Sequence, residues 1–466
     1  MSSIEVGSDE LLQMLDSKTP VLVLDIRPKQ SYMEGHIPGA ANAVCDSMQQ
    51  KQVIMSKIPP NMKIILIDED ATTAKENATM MARFGFDAHY LKDGIKSWKK
   101  DLVKSTQDTA ISGDALWSAL KQSDDVFLLD VREPSEFSDF KIPGAVNIPL
   151  SQLFMSESQE AIPKGKKIVT ICSHGNRSMV ATFALAKSGI EATSLVGGMA
   201  MWNQVLNATT LKDGDTTIIQ VEKIGKGCLS HIIGADGEAV VIDPTYPAAK
   251  YVEFAQKEGL KITKVIDTHQ HADHVSAARD LAQIAGAKLH LSKLEEYKIE
   301  CEKIEDGTVI SFGSKHLKAI HTPGHTSGSM SFVLDDKYVF SGDTLFVEGI
   351  GRPDLRDQAE EFAANLYNTL HNKLLKFPDD TKVFPTHHGE GVKSKDGLFF
   401  TTIRDAKTLP LLDLAQLEFI SKVVSITTPR PMNYSMIIKI NKGVIPVSPM
   451  QIPDLEMGPN RCSIRT

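Results

Sequence analysis

Four side chains that can bind metal crowd into six residues of the segment KVIDTHQHADHVSA (264–277): His269, His271, Asp273 and His274. A β-branched run precedes them, which places them in a loop at a strand end, and their spacing forms no amphipathic face. A single histidine is usually structural, but H-x-H-x-D-H after a strand is a specific metal signature. Such a site needs further ligands from other strand ends. Three are supplied: His325 in IHTPGHTSGS, Asp343 in YVFSGDTLF and His387 in KVFPTHH. Four neighbours have ordinary readings and are not expected as ligands: His321 and His388 in loops, His231 within a strand and Asp243 at a strand-end turn.

Cys172 offers a second chemistry. It follows the apolar run KIVTI, and a helical pattern begins near Ser178, with Ser173, His174, Gly175, Asn176 and Arg177 between. The loop's N–H groups and the helix N-terminus direct positive partial charge at the sulfur, Arg177 adds a full charge, and Gly175 permits a tight turn. A lone cysteine at a strand end is most often an inert core residue, and this loop reverses that expectation in favour of a thiolate or persulfide. Four residues separate Cys172 from Arg177. Tyrosine-phosphatase-like turns have one more and accommodate phosphate, so the smaller cradle suits a sulfur atom.

The elements that must position this loop occur twice. VLVLDIRPKQSYMEGHIPGAANAV (21–44) recurs as VFLLDVREPSEFSDFKIPGAVNIP (126–149), pairing Asp25 and Arg27 with Asp130 and Arg132. KIILIDED at 63 matches KIVTICSH at 167, and LKDGIKSW matches LVGGMAMW. Each copy alternates apolar β-branched runs with helical patterns, so two α/β domains with parallel sheets and flanking helices are expected, 1–106 and 107–212. The motifs DxR, xIPGA, CxxGxRS and GGxxxW resemble the rhodanese family over about residues 1–207. The resemblance implies that Cys172 is the nucleophile that accepts sulfane sulfur, with Arg177 and His174 positioning an anionic donor such as thiosulfate. The first copy has Asp68 at the aligned position and no following Arg. A carboxylate cannot carry a persulfide, so this copy is expected to be inactive and kept for packing. A module that docks sulfur carriers is the reading from a different class. Cys45 lies away from the loop position and reads as an ordinary residue.

From about 213 the pattern changes to strands first, CLSHIIG and EAVVIDP, then a helix and the His-rich loop. A third domain, 213–466, is expected, with a tail that seven prolines between Pro410 and Pro459 predict to be extended. The ligand succession resembles the metallo-β-lactamase superfamily across about 216–400, which implies an αββα sandwich with ligands along one edge of two facing sheets. All seven positions of a two-metal site are filled, so a dizinc thioester hydrolase like glyoxalase II stays open.

GCLSHII and GIGRPDL resemble the persulfide dioxygenase branch instead. That resemblance implies one Fe(II) per chain on His269, His325 and Asp343, with Zn(II) as the alternative. It leaves His271, Asp273, His274 and His387 to support these ligands or a second site, and puts Arg352 near an anionic thiol carrier. Two imidazoles and one carboxylate leave positions for O2 and a substrate sulfur, which redox-inert zinc could not exploit. The fusion agrees: a dioxygenase turns a persulfide into thiol and sulfite, and a rhodanese moves sulfane sulfur between thiols, sulfite and thiosulfate. PTHHGEGVKSK departs from the ending of many glutathione-dependent members, so the carrier stays open among glutathione, coenzyme A, cysteine or another small thiol.

Composition sets outer bounds. A chain of 466 residues is too long for one core. A net charge of -8 without a basic run argues against nucleic acid or an anionic membrane surface as partner. No apolar run approaches the ~18 residues of a membrane span, and MSSIEVGSDELLQML does not read as a secretory signal. Five scattered cysteines suit a reducing, cytoplasmic setting. An assembly of identical subunits stays open.

Overall fold

The computed structural model describes residues 4–17, 21–42, 62–104, 110–123, 125–153, 156–353, 358–426, 430 and 433–464. Cys45, Asp354, Leu355 and the expected boundary at 106 and 107 lie outside the described residues. The chain forms two units, Met1–Trp202 and Asn203–Thr466.

The first unit holds both repeats. In the first copy the apolar runs become parallel strands in the order Glu5–Val6, Ala88–Leu91, Lys63–Ile67, Val21–Asp25, Ala41–Asn42. The second repeats that order with Ala110–Ile111, Ala192–Leu195, Lys167–Ile171, Val126–Asp130 and Val146–Asn147. Strands buried on both faces read as continuous apolar runs, which is why the alternation of polar residues is missing from them. The repeated Asp-x-Arg is a buried clasp: Nη2 of Arg27 and of Arg132 lies 2.7 Å from Asp25 and Asp130 respectively. Asn42 and Asn147 close each clasp by donating to the carbonyls of the same Asp and Arg.

The second unit is a four-layer αββα sandwich. One sheet runs Leu206–Asp213, Thr216–Lys223, Cys228–Ala235, Glu238–Ile242, Lys261–Ile266, Lys288–Ser292, Glu302–Ile304; it is antiparallel at first and parallel from Glu238–Ile242 onward. The other runs Val309–Phe312, Lys315–His321, Met330–Leu334, Tyr338–Gly342, Lys382–Pro385, Thr401–Thr402. The sheet begins at Leu206, ahead of the strands CLSHIIG and EAVVIDP that mark the domain in the sequence.

Period-2 side-chain alternation fills both faces. Ile218, Val240 and Ile266 point inward to Phe332, Phe340 and Phe384 of the facing sheet. Ile219, Val241 and Val265 point outward to Tyr251, Ala255 and Leu281 on the helices Ala249–Lys257 and Ala278–Ala285. Val333, Val339 and Val383 of the second sheet meet Leu366, Leu370 and Phe419 on the helices Ala359–Asn372 and Gln416–Ser425.

The tail corrects an expectation: it is largely helical, with Gln416–Ser425 and Tyr434–Asn441 and shorter turns at Pro410–Asp413, Pro449–Gln451 and Ile452–Leu455. Pro410, Pro449 and Pro453 stand in the first turns of their helices, where no N–H is needed, so they start helical turns instead of preventing them.

Candidate functional site

The metal-type residues meet at one edge of the sandwich. The strand Lys261–Ile266 ends in the loop of His269 to His274, His325 lies between Lys315–His321 and Met330–Leu334, Asp343 follows Tyr338–Gly342, and His387 follows Lys382–Pro385. Backbone bonds knit these ends together: Met330 N to Thr268 O at 2.8 Å, Leu229 N to Thr386 O at 2.6 Å and Thr386 N to Gly342 O at 3.1 Å. In GIGR, Gly351 passes so close that a Cβ would lie 1.9 Å from the Asp343 carbonyl oxygen.

Three of the predicted ligands form a compact group. Nε2 of His269 and of His325 lie 3.6 and 3.5 Å from Asp343 Oδ2, and none of the three residues is more than 2% exposed. His269 Nε2 and Asp343 Oδ2 have no hydrogen-bond partner, a costly condition for buried polar atoms. These separations exceed hydrogen-bond length and suit atoms that each lie about 2 Å from a shared cation. The outer atoms of the same groups are held. His325 Nδ1–H donates to the Arg352 carbonyl at 2.9 Å, His269 Nδ1 meets Thr268 Oγ1 at 2.9 Å, and His387 Nδ1–H donates to Asp343 Oδ1 at 2.7 Å. Engaging Nδ1 leaves the Nε2 lone pair for a metal. Burial, reinforced by neighbouring imidazoles, holds the His269 pKa well below its usual value, and burial also lowers that of His325 against the pull of Asp343. Both rings thus stay neutral, the metal-binding form.

His271 turns elsewhere. Its Nε2 lies 3.1 Å from Asp243 Oδ1 and 3.9 Å from Asp267 Oδ1, within a separate buried group of those three residues, and its Nδ1 has no hydrogen-bond partner. Asp243, not expected as a site residue, is a hub: it accepts from Thr268 N at 2.6 Å, Thr268 Oγ1 at 2.8 Å and Thr386 Oγ1 at 2.8 Å. It thereby joins the loops that carry His269 and His387. The available signal was its place at the end of EAVVI, the strand next to the ligand strand.

Asp273, His274 and His387 group with Cys228, another residue the sequence reading left out. His274 Nδ1 is 3.1 Å and His387 Nε2 3.0 Å from Asp273, and Cys228 Sγ is 3.7 Å from Asp273 Oδ2. Burial opposes charge on His274, but Asp273 and Cys228 outweigh it and raise its pKa to about 10. Burial raises and His387 lowers the Cys228 pKa, which ends at about 7. A bridge between Cys228 and His387 brings the thiol into the group, so only the fold reveals it. Cys462, from the tail, groups with Asp343 and His387. Arg352 is fully buried; its N–H donates to the Cys462 carbonyl at 3.1 Å and its Nη1 to the Arg461 carbonyl at 3.0 Å.

In the first unit Cys172 is 1% exposed at the end of Lys167–Ile171, and Gly175, with φ of 92°, caps the helix Asn176–Lys187. Gly175 N donates to the sulfur at 3.1 Å and Ser178 Oγ at 3.5 Å. Gly198 of the GGxxxW motif lies against the loop, since a Cβ there would be 2.1 Å from the Cys172 carbonyl oxygen. Arg177 is shared: Nη1 and Nη2 both donate to Glu136 at 2.7 Å, and Nη2 also donates to Ser173 Oγ at 3.0 Å. That pairing, against partial burial, lowers the Glu136 pKa to about 2. His174 and Gly175 line a cavity of about 460 Å³ whose other walls include Tyr32, His36 and Phe183. In the first copy Asp68 occupies the sulfur position and accepts from Ala71 N at 2.6 Å and Ala74 N at 2.9 Å, so the carboxylate caps the helix Thr72–Arg83. Ala71, with φ of 73°, keeps the left-handed conformation that Gly175 has in the second copy.

Residues 225–388 match the family model of the metallo-beta-lactamase superfamily, and residues 8–101 and 112–205 each match that of the rhodanese-like domain. Among solved structures, the crystal structure of ETHE1 from Myxococcus xanthus is 27% identical and covers 51% of this chain and 99% of its own, with a TM-score of 0.44. The hydroxyacylglutathione hydrolase-like protein of Mus musculus is 36% identical over 156 residues, 32% of this chain and 53% of that protein. Human mitochondrial persulfide dioxygenase ETHE1 is 31% identical over 208 residues, 44% of this chain and 78% of that protein. On that last match the chain belongs to the persulfide dioxygenase family of the metallo-beta-lactamase superfamily, with two rhodanese-like domains at its N-terminal side. Among the described residues no helix is long and apolar enough to cross a membrane.

Proposed function

We propose that this chain oxidises a low-molecular-weight thiol persulfide with O2 at a single iron held by His269, His325 and Asp343, and that Cys172 exchanges sulfane sulfur with small thiols, thiosulfate or sulfite. The observation that carries the reading is the buried group of two imidazoles and one carboxylate, with both Nε2 atoms 3.5 to 3.6 Å from Asp343 Oδ2 and with His269 Nε2 and Asp343 Oδ2 unpartnered. The balance is RSSH + O2 + H2O giving RSH, sulfite and two protons. When bound, the iron supplies redox chemistry and open positions for oxygen and sulfur. The chain's own part is to orient and desolvate: Thr268 and the Arg352 carbonyl fix the two rings, and His387 holds the far oxygen of Asp343. Arg352 would meet the anionic end of a carrier only in competition with the Arg461 carbonyl. At the sulfur loop, Gly175 N–H and Ser178 Oγ stabilise charge on Cys172, while Arg177 and His174 face the donor. Free Cys172, Cys228, Cys301 and Cys462 among the described residues support a cytoplasmic setting.

Anaerobic purification, metal quantification and an oxygen electrode with persulfides of glutathione, coenzyme A and cysteine test the reading. About one iron per chain and persulfide-dependent oxygen uptake are expected, and the preferred persulfide names the carrier. Two zinc ions with thioester hydrolysis and no oxygen uptake would overturn it. That second reading, a dizinc hydrolase, draws support from the group Cys228, Asp273, His274 and His387 and from the hydrolase relatives.

A further inference from the structure

We infer that the C-terminal segment 433–464, which lies beyond the residues matched by the superfamily model, is part of the metal centre, and that Asn441 is the positioning residue through which it sets the ligand loop. The inference rests on the metal site proposed above but on neither the identity of the metal nor the reaction.

Residues 267–277 leave the strand Lys261–Ile266 and belong to no helix or sheet, apart from a bridge at Ser276. Their peptide groups must therefore find partners elsewhere. Asn441, the last residue of Tyr434–Asn441, supplies three: its Nδ2 donates to the carbonyls of His271 and His274, both at 2.9 Å, and its Oδ1 accepts from Ser276 N at 2.9 Å. Only a side-chain amide carries both donors and an acceptor in that space. Glu456 grips the same loop, with Oε1 accepting from Val275 N at 2.8 Å, and Val275 packs on Ile437 and Ile452. The end of the segment holds the other side of the site. Ser463–Ile464 pairs with Ile350–Gly351, and the carbonyls of Arg461 and Cys462 accept from Arg352, whose own carbonyl orients His325. One segment thus fixes both the His269 loop and His325, and ligand geometry depends on such supports to fractions of an ångström. Asn441 is the informative position because its removal leaves no buried charge.

The test uses the full chain with Asn441→Ala and Asn441→Asp; the latter keeps the acceptor for Ser276 N and loses both donors. Metal affinity is read by competition with a chromophoric chelator for Fe(II) and Co(II), and site geometry by the ligand-field spectrum of the Co(II)-loaded protein. Both variants are expected to bind metal about tenfold more weakly and to show an altered Co(II) spectrum. Phe419→Leu, buried on the outer face of the second sheet, serves as the control that lowers Tm without touching the loop. Unchanged affinity and spectrum in the Asn441 variants would overturn the inference, as would an equal affinity loss in Phe419→Leu at matched Tm. A wild-type chain that binds Co(II) and Fe(II) but, loaded with Fe(II), shows no persulfide-dependent oxygen uptake would refute the proposed reaction and leave this comparison intact.

Discussion

Charge at the sulfur loop is delivered by residues from two places. Arg177 was nameable from CxxGxRS, but its partner Glu136 is 41 residues away and looks in the sequence like any surface carboxylate. Removing Arg177 should leave that carboxylate facing an anionic donor. For Arg177→Ala we expect kcat/KM for thiosulfate to fall at least about tenfold, the loss of one hydrogen bond to a charged group, roughly 1.5 kcal/mol or more. The Glu136 pKa should rise from about 2 towards its ordinary 4.5, readable by NMR titration of its side chain. In the wild type the depressed value means that the pair is fully formed above pH 4.5 and is lost only as pH falls towards 2. A Glu136 that titrates identically in both proteins would show that the pairing is not kept in solution. The same distinction runs through the metal site. His269, His325, Asp343 and Cys172 stand out because each lies in a short local pattern, HQHADH, HTPGHTSGS, SGDTLF and CSHGNRS respectively. Asp243 and Cys228 reach their partners across 28 and 45 residues, and neither lies in a metal-binding motif of its own; a strand end is all that marks Asp243.

Elements were legible where periodicity and repetition acted together. The duplicated apolar runs predict two α/β copies, and both sheets adopt one strand order. Proline content without position predicts an extended tail, whereas a proline in a first turn, as at Pro410, Pro449 and Pro453, begins a helix. Asp68 shows the element-scale consequence of losing the cysteine. The loop and helix persist, with a carboxylate satisfying the N–H groups that would otherwise face sulfur. Asp68→Ala should cost about 1 kcal/mol, the usual worth of a helix N-cap, seen as a lower Tm. Amide exchange at Ala71 and Ala74 should quicken. No change in exchange there would mean that the helix Thr72–Arg83 does not depend on this cap.

At the scale of the whole molecule, the Cys172 loop and the group of His269, His325 and Asp343 lie in different compact units, so the losses of the two proposed activities should separate. His269→Ala is expected to abolish iron retention and oxygen uptake while thiosulfate sulfurtransfer survives. Cys172→Ser should do the reverse when a free small-thiol persulfide is supplied. Simultaneous loss of both activities in a folded variant would argue for an obligatory hand-over between the sites.

Stability of the second unit also depends on an ion pair that binds its two ends, since Lys223 on an early strand and Glu456 in the tail pair while both are fully buried. Burial opposes the Glu456 charge, but Lys223 prevails and holds its pKa below the usual 4.5. A depressed carboxylate contributes stability that is complete above 4.5 and is lost as pH falls through the lower folded value. Glu456→Gln leaves Lys223 charged and unpaired in the interior, a loss of about 3–5 kcal/mol at pH 7. Since protonation removes the same carboxylate from the wild type, the gap between the two proteins in chemical denaturation should narrow as pH falls below 4.5. A gap that stays constant down to pH 3 would mean that the cost of the substitution comes from packing around the tail and not from the pair.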